Sequence, residues 1–468
     1  MLAALCLLFL GLLAAFWYRY VCPQVLTGIV RGPTEWPFPW RKVRLAVLPP
    51  DEFMYQICYY GDQPKVVIRE PSLVPLVLKR EADLVRRSDF GLSWILEEVL
   101  GKCLFVQHGN EWRRVVAVFK RSFTPKQVEK FFPLMTQESA NWVKEMTNSP
   151  LRLTSSDLLR GPFIITCLTM YGEDIANTPD IDALIEFCDD MDSLTGHVFG
   201  FWGMASVLRR LPWSVPARVQ SFRRRWEKWN SKKLAEVKKG AHSTGMLAEA
   251  LAHGADTLSK EEVMHTLNEI VLANADFVAA AIAWPLVHLA QNPAALKSLE
   301  DELESVLHSR SLSSPTELRR MPYLDAVLKE SWRLEPMMNV TNPVYLGSDV
   351  ELVAGSPPLP KGTAVVFDTR ALNRHPGAWE DPHAFKPERW LGEVATKINP
   401  HALHIFGLGS RKCLGQHYAI LLCKIILVTL MGKFTIQPQA HLSAECLTEA
   451  SYGPFSFPTH AVILHKRK

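Results

Sequence analysis

The sequence predicts a mainly helical α+β protein: a large helical domain with a smaller β-rich region, preceded by an N-terminal transmembrane helix. Three observations carry this reading. From about Trp112 to Leu334 apolar residues recur at helical spacing, with polar breaks near residues 148–150, 177–180, 242–245 and 311–315. Strand-like runs lie outside that stretch: Met54–Gly61 and Lys65–Glu70 before it, and proline-rich, β-branched sequence after Pro336. Finally, no charged side chain interrupts Leu2 to Tyr18.

Taken in order, those seventeen residues would span about 25 Å as a helix, enough for a thin bilayer. Trp17, Tyr18 and Tyr20 supply interfacial aromatics, and Arg19, Arg31, Arg41, Lys42 and Arg44 all follow, which places the body in the cytosol by the positive-inside rule. The rival reading, a cleaved signal peptide, lacks its basic start and its small-residue cleavage site. Residues 1–20 therefore read as a membrane anchor, residues 21–50, with Pro23, Pro33, Pro37 and Pro39, as a stiff hinge, and residues 51–468 as the folded domain. Within that domain the first two strands form a hairpin broken at Asp62, Gln63 and Pro64, and Pro71 opens a helix to about Ser88. A late helix runs from about Leu414 to Met431, and a strand-like tail closes the chain.

Composition narrows the function. At 468 residues, with 48% hydrophobic and 21% charged residues, the chain has ample material for a buried core. A net charge of +4 over that length leaves no nucleic-acid footprint, and a cluster such as Arg223, Arg224 and Arg225 reads as a solvated helix face. Nine cysteines without paired spacing suggest neither a disulfide framework nor a CxxC zinc site.

The chemistry concentrates at residues 406–415, FGLGSRKCLG, which read FxxGxRxCxG through Phe406, Gly409, Arg411, Cys413 and Gly415. Glycines there let the backbone turn tightly, and the helix that follows aims its free amides toward the sulfur, favouring a thiolate. The decapeptide resembles the haem loop of the cytochrome P450 family and matches all five of its positions. Two further segments fit the resemblance. Glu330 and Arg333 in KESWR share one helical face, and Pro387, Glu388 and Arg389 in FKPERW resemble the segment whose arginine completes a buried triad with them. GNEWRR, Gly109 to Arg114, resembles the helix that meets a haem propionate, but the usual WxxxR spacing would put arginine at Val116; Trp112 with Arg113 or Arg114 is the local substitute.

The resemblance implies haem b held by Cys413, with Phe406 shielding the sulfur, Arg411 pairing a propionate, and Gly409 and Gly415 shaping the loop. It places the helix around Leu267 to Ala290 over the oxygen-binding face, where the family's AGx(D/E)T becomes Ala273, Asn274, Ala275, Asp276 and Phe277. The acid is kept and the threonine is lost, so Asp276 and Asn274 become the candidates for handling protons near bound oxygen. The segments expected to line the pocket, 92–106, 337–344 and 452–457, are mostly apolar.

The implied activity is a monooxygenase of the endoplasmic reticulum membrane. It would insert one atom of O2 into a small lipophilic substrate with electrons from an NADPH-cytochrome reductase, in specialised metabolism. Without the threonine, radical coupling, dehydration or rearrangement stays open, as does a non-catalytic haem-binding sensor.

Overall fold

The computed structural model describes residues 55–60, 63–81, 100–146, 151–153, 157–173, 175, 179–187, 189–190, 217–239, 245–252, 257–308, 310–341, 343–437, 451–452, 455–456 and 462–467. The expected anchor and hinge, residues 1–50, lie outside them.

The main helices are α1 (Gly109–Phe119), α2 (Phe132–Glu145), α3 (Arg160–Tyr171), α4 (Ala217–Lys238), α5 (Lys260–Asn268), α6 (Asn274–Gln291), α7 (Pro293–Leu307), α8 (Pro322–Leu334) and α9 (Gln416–Lys433). Proline opens α7 and α8 and follows the first residue of α2, positions where its missing N–H costs nothing. Ser259 and Glu262 form a reciprocal cap at the start of α5. The broken stretch read at residues 311–315 is the entry to the short helix Pro315–Arg319, where the Glu317 carboxylate accepts from the Ser313 and Ser314 amides at 2.8 and 3.2 Å. Helix α6 is the axis of the body and packs on α3, α8 and α9, while α9 also crosses α2. By length and composition α9 is apolar enough to cross a membrane, but its run from Leu421 to Met431 is largely buried in the main core.

Most strands fall at the two ends as expected, whereas β3 (Leu151–Leu153) lies inside the stretch read as helical. Strands β1 (Tyr55–Tyr60) and β2 (Gln63–Ile68) pair antiparallel with Tyr55 opposite Ile68, so Gln63 and Pro64 belong to the second strand rather than to the break. The same sheet takes in β4 (Val344–Tyr345) and β5 (Ala364–Phe367) in the order β1-β2-β5-β4, with β2 and β5 parallel. Its apolar face forms a second core around Val66, Ile68, Val365 and Phe367. A three-stranded sheet joins β3 (Leu151–Leu153), β9 (Val462–Lys466) and β6 (Phe434–Ile436), and β7 (Ser451–Tyr452) pairs with β8 (Phe455–Ser456).

One element is corrected. The helix read from Pro71 to Ser88 ends at Leu78, because the chain then turns to bridge Glu81 with Leu346 on the sheet, and no helix can pair its backbone sideways in that way.

Candidate functional site

The loop before α9 is closed by backbone hydrogen bonding. The Cys413 amide donates to the Phe406 carbonyl at 2.8 Å, folding residues 406–413 back on themselves. Gly409 sits at φ +72°, a backbone conformation that favours glycine, and a Cβ there would lie 3.0 Å from the Glu81 Oε2 atom, which would have to give way slightly. Gly415 has a different reason from the one read in the sequence. Its φ of −82° suits any residue, but the space beside it is open, so a side chain would intrude on that space rather than strain the turn. Ser410 donates to Glu81 at 3.2 Å, fastening the loop to the end of the first sheet.

Cys413 lies two residues ahead of Gly415, which caps α9. Burial pushes its thiol pKa up, the Gly415 amide and the Lys412 charge pull the other way, and the Glu269 carboxylate adds to the rise. Yet the residue carries exposed surface. That exposed surface leaves the residue open on one side, as a planar group bound against the sulfur requires. The Phe406 ring lies edge-on to Trp332 with centroids 5.8 Å apart. The open space at Gly415 and the accessible thiol fit a porphyrin; the site offers the donor set that haem iron takes.

Arg411 lies with its guanidinium 4.0 Å from the centroid of the Trp112 ring, so the two expected partners of an anionic haem edge do meet. Its donors also reach the carbonyls of Leu104 at 3.3 Å and Gln107 at 2.8 Å. Arg113 stands apart from this pair: it is on the exposed face of α1 and donates to Asn110 at 2.8 Å. Arg114 is likewise exposed and is paired with Glu262. The reason is helical geometry, since Trp112 shares its inward face with Val115, Val116 and Phe119, and Arg113 lies a hundred degrees round.

On the opposite side stands α6, preceded by a wider π-type turn over Glu269–Ala273. Asn274 and Asp276 fall in the first turn of α6, but their side chains lie outside the described residues. Phe277 is partly buried there. Pro285 lies inside the helix and frees the carbonyl of Ala281, four residues back; the Trp332 indole donates to it at 2.9 Å. Trp332 therefore bridges α6 to the Phe406 loop.

The paired carboxylate and arginines are fully assembled. Arg333 forks onto Glu330 with two bonds of 2.8 Å, and Arg389 Nε reaches the same carboxylate at 2.9 Å. The Lys386 amide and the Trp390 indole complete its shell at 3.0 and 2.9 Å. Arg333 also donates to the carbonyls of Asn373, Pro382 and Ala384, tying the irregular stretch before the haem-type loop to α8. Burial alone would raise the Glu330 pKa, but Arg333, the Lys386 amide and Arg389 hold it below the usual carboxylate value.

Sequence reasoning passed over Glu269. It sits on the π-type turn, and its carboxylate accepts from the Phe105 amide at 2.9 Å. Within a helical pattern an acid reads as a surface residue, and no signal at this position distinguishes it.

A family model described as Cytochrome P450 matches residues 54–454. Among curated proteins the chain is similar to Cytochrome P450 3A13 of Mus musculus, 28% identical with 81% of this chain and 78% of the mouse protein covered. It is similar also to the Cytochrome P450 monooxygenase verC of Clonostachys rogersoniana, 26% identical with coverage of 80% and 74%. Among solved structures, a cytochrome P450DA haem domain superposes with a TM-score of 0.72 over 88% of this chain and 89% of that one, at 18% identity, a likeness of fold. Since the family match runs from residue 54 to residue 454, well over half of the 468 residues, the chain belongs to the cytochrome P450 family of haem b-dependent monooxygenases.

Proposed function

We propose that Cys413, as thiolate, would hold the haem iron, and that the chain inserts one atom of O2 into a small lipophilic molecule with electrons from an NADPH-cytochrome reductase. One observation carries the reading: the crowded yet accessible Cys413 thiol at the approach to α9, with Arg411 and Trp112 stacked nearby. Bound there, haem supplies reductive activation of dioxygen, favoured by an electron-donating thiolate. The chain's own residues have separate tasks. Gly415 leaves room for the ring, Phe406 shelters the sulfur from water, Gly409 allows the loop its turn, and Arg411 with Trp112 faces the anionic edge. Arg113 is exposed, and the reading gives it no part. On the oxygen side Asp276 and Asn274 hold and pass protons in place of the missing threonine.

The membrane anchor at residues 1–20, a place at the endoplasmic reticulum and a role in specialised metabolism belong to the same proposal; likeness to a fungal monooxygenase supports the last. Purified protein reduced under carbon monoxide is expected to give the red-shifted Soret band of a haem thiolate, and Cys413→Ser to abolish it. A variant that kept the band would end the proposal. Phe277, where the family's threonine would stand, favours a second reading: coupling, dehydration or rearrangement of a substrate already oxygenated, for which turnover without reductase is the distinguishing result.

A further inference from the structure

Segment 100–107 is gripped from two sides. From one side come three residues on a single helical face, His265, Asn268 and Glu269, spaced i, i+3 and i+4. The His265 ring fills the place where a side chain at position 101 would go, 2.1 Å from the ideal Cβ, and Gly101 has the matching left-handed backbone at φ +77°. Asn268 Nδ2 donates to the Leu100 carbonyl at 3.1 Å, its own oxygen being held by the Trp226 indole at 2.8 Å. Glu269 accepts from the Phe105 amide at 2.9 Å. From the other side Arg411 donates to the carbonyls of Leu104 and Gln107. Between these grips the segment is a tight turn, with the Val106 and Gln107 amides both donating to the Cys103 carbonyl at 3.1 Å.

The polarity is matched: amide to carboxylate on one side, carbonyls to guanidinium on the other. The two grips come from different elements, Arg411 from the Cys413 loop and Glu269 from the turn leading into α6. Glu269 is partly buried, and burial is the leading cause of its raised pKa.

We propose that Glu269 is a positioning residue: with Arg411 it clamps segment 100–107, fixes where Phe105 and Val106 stand, and so sets the bulk of substrate the pocket accepts. This rests on the haem-thiolate reading and on residues 100–106 as pocket wall. The carboxylate acts through the turn, because it is engaged by backbone amide and by the neighbouring Cys103 thiol rather than aimed at a reacting atom. Glutamine keeps one acceptor oxygen at the same reach, alanine keeps none, and aspartate is a methylene too short.

The haem-loaded parent, Glu269→Ala, Glu269→Gln and Glu269→Asp are compared by hydrogen–deuterium exchange over residues 100–108 and by spectral titration with two ligands, imidazole and triphenylmethyl-imidazole. In the alanine variant, exchange of the segment is expected to rise about tenfold. Affinity for the bulky ligand is expected to change by about tenfold and that for imidazole by less than about twofold, with glutamine restoring both. Unchanged exchange in the alanine variant, equal changes for both ligands, or glutamine as impaired as alanine would overturn the clamp. Should the alanine variant fail to load haem, a parent-like glutamine variant with a loosened aspartate variant supports it, and two parent-like variants overturn it. A parent without the carbon monoxide band sinks the haem-thiolate reading instead, whereas failure of the clamp leaves that band intact in every variant.

Discussion

Phe277 is the residue whose replacement reports most directly on oxygen chemistry. It occupies the position at which the family motif carries a hydroxyl, and a phenyl ring offers no proton. If Asp276 and Asn274 have taken over, Phe277→Thr should leave the ratio of product to NADPH consumed within about twofold of the parent, whereas Asn274→Ala should lower it by about tenfold. Opposite ranking of the two would assign the task elsewhere. Two buried histidines make a second prediction at this scale. His288 is stacked between Trp284 and Phe385 with no acceptor for Nδ1, and His404 likewise has an unpartnered Nδ1 while its Nε2 meets the His401 carbonyl at 3.0 Å. Burial lowers the pKa of each from 6.5 to about 4. Between those values the unfolded chain binds protons that the folded chain refuses, so stability is complete above pH 6.5 and falls as pH drops toward 4. The loss is on the order of 3 kcal/mol per ring. His288→Phe, which keeps the stack, should therefore flatten the change in denaturation midpoint between about pH 7 and 5. Of these residues the sequence disclosed Phe277 through its motif but not the burial of the two histidines: His288 shares its helical spacing with solvated rings, and His404 lies in an irregular stretch with no periodicity to read.

Among elements, α8 and the stretch before the haem-type loop depend on Glu330, whose carboxylate takes bonds from Arg333, Arg389, the Lys386 amide and Trp390. Glu330→Ala leaves two guanidinium groups facing a vacated acceptor and should cost about 3–5 kcal/mol, read as lost unfolding free energy. Arg389→Lys should cost less, since Arg389 is partly exposed and keeps a cation in place. The triad was legible because three motifs arrived in a known order. The hairpin was legible from its two strand-like runs, and the helix start after it from Pro71. Strand β3 was not: three residues carry no periodicity, and its partner β9 lies at the far end of the chain. Nor was the early end of the helix after Pro71, which is decided by the sheet edge at Leu346 and by nothing local. Glu269 and the carbonyls that Arg411 also reaches escaped because these contacts are made with backbone atoms, and backbone atoms leave no signature in a sequence.

At the scale of the whole molecule, charge should govern the meeting with an electron donor. Lys120, Arg121 and Lys412 are all exposed, the last beside Cys413. An acidic donor steered to this face would transfer electrons more slowly as salt rises, and Lys412→Glu should lower the apparent rate at low ionic strength by about tenfold with little effect in high salt. Indifference to salt would remove steering from the account. The first sheet has a consequence of a different kind. Strand β2 lies parallel to β5, and the nearby Arg69–Asp368 contact spans 299 positions of sequence. During synthesis the amino-terminal hairpin must therefore wait with one edge uncovered until nearly four-fifths of the polypeptide has emerged. A newborn chain of this protein thus offers an edge for chaperones to cover, and its first sheet can be sealed only after the sequences of α1 to α8 have been made.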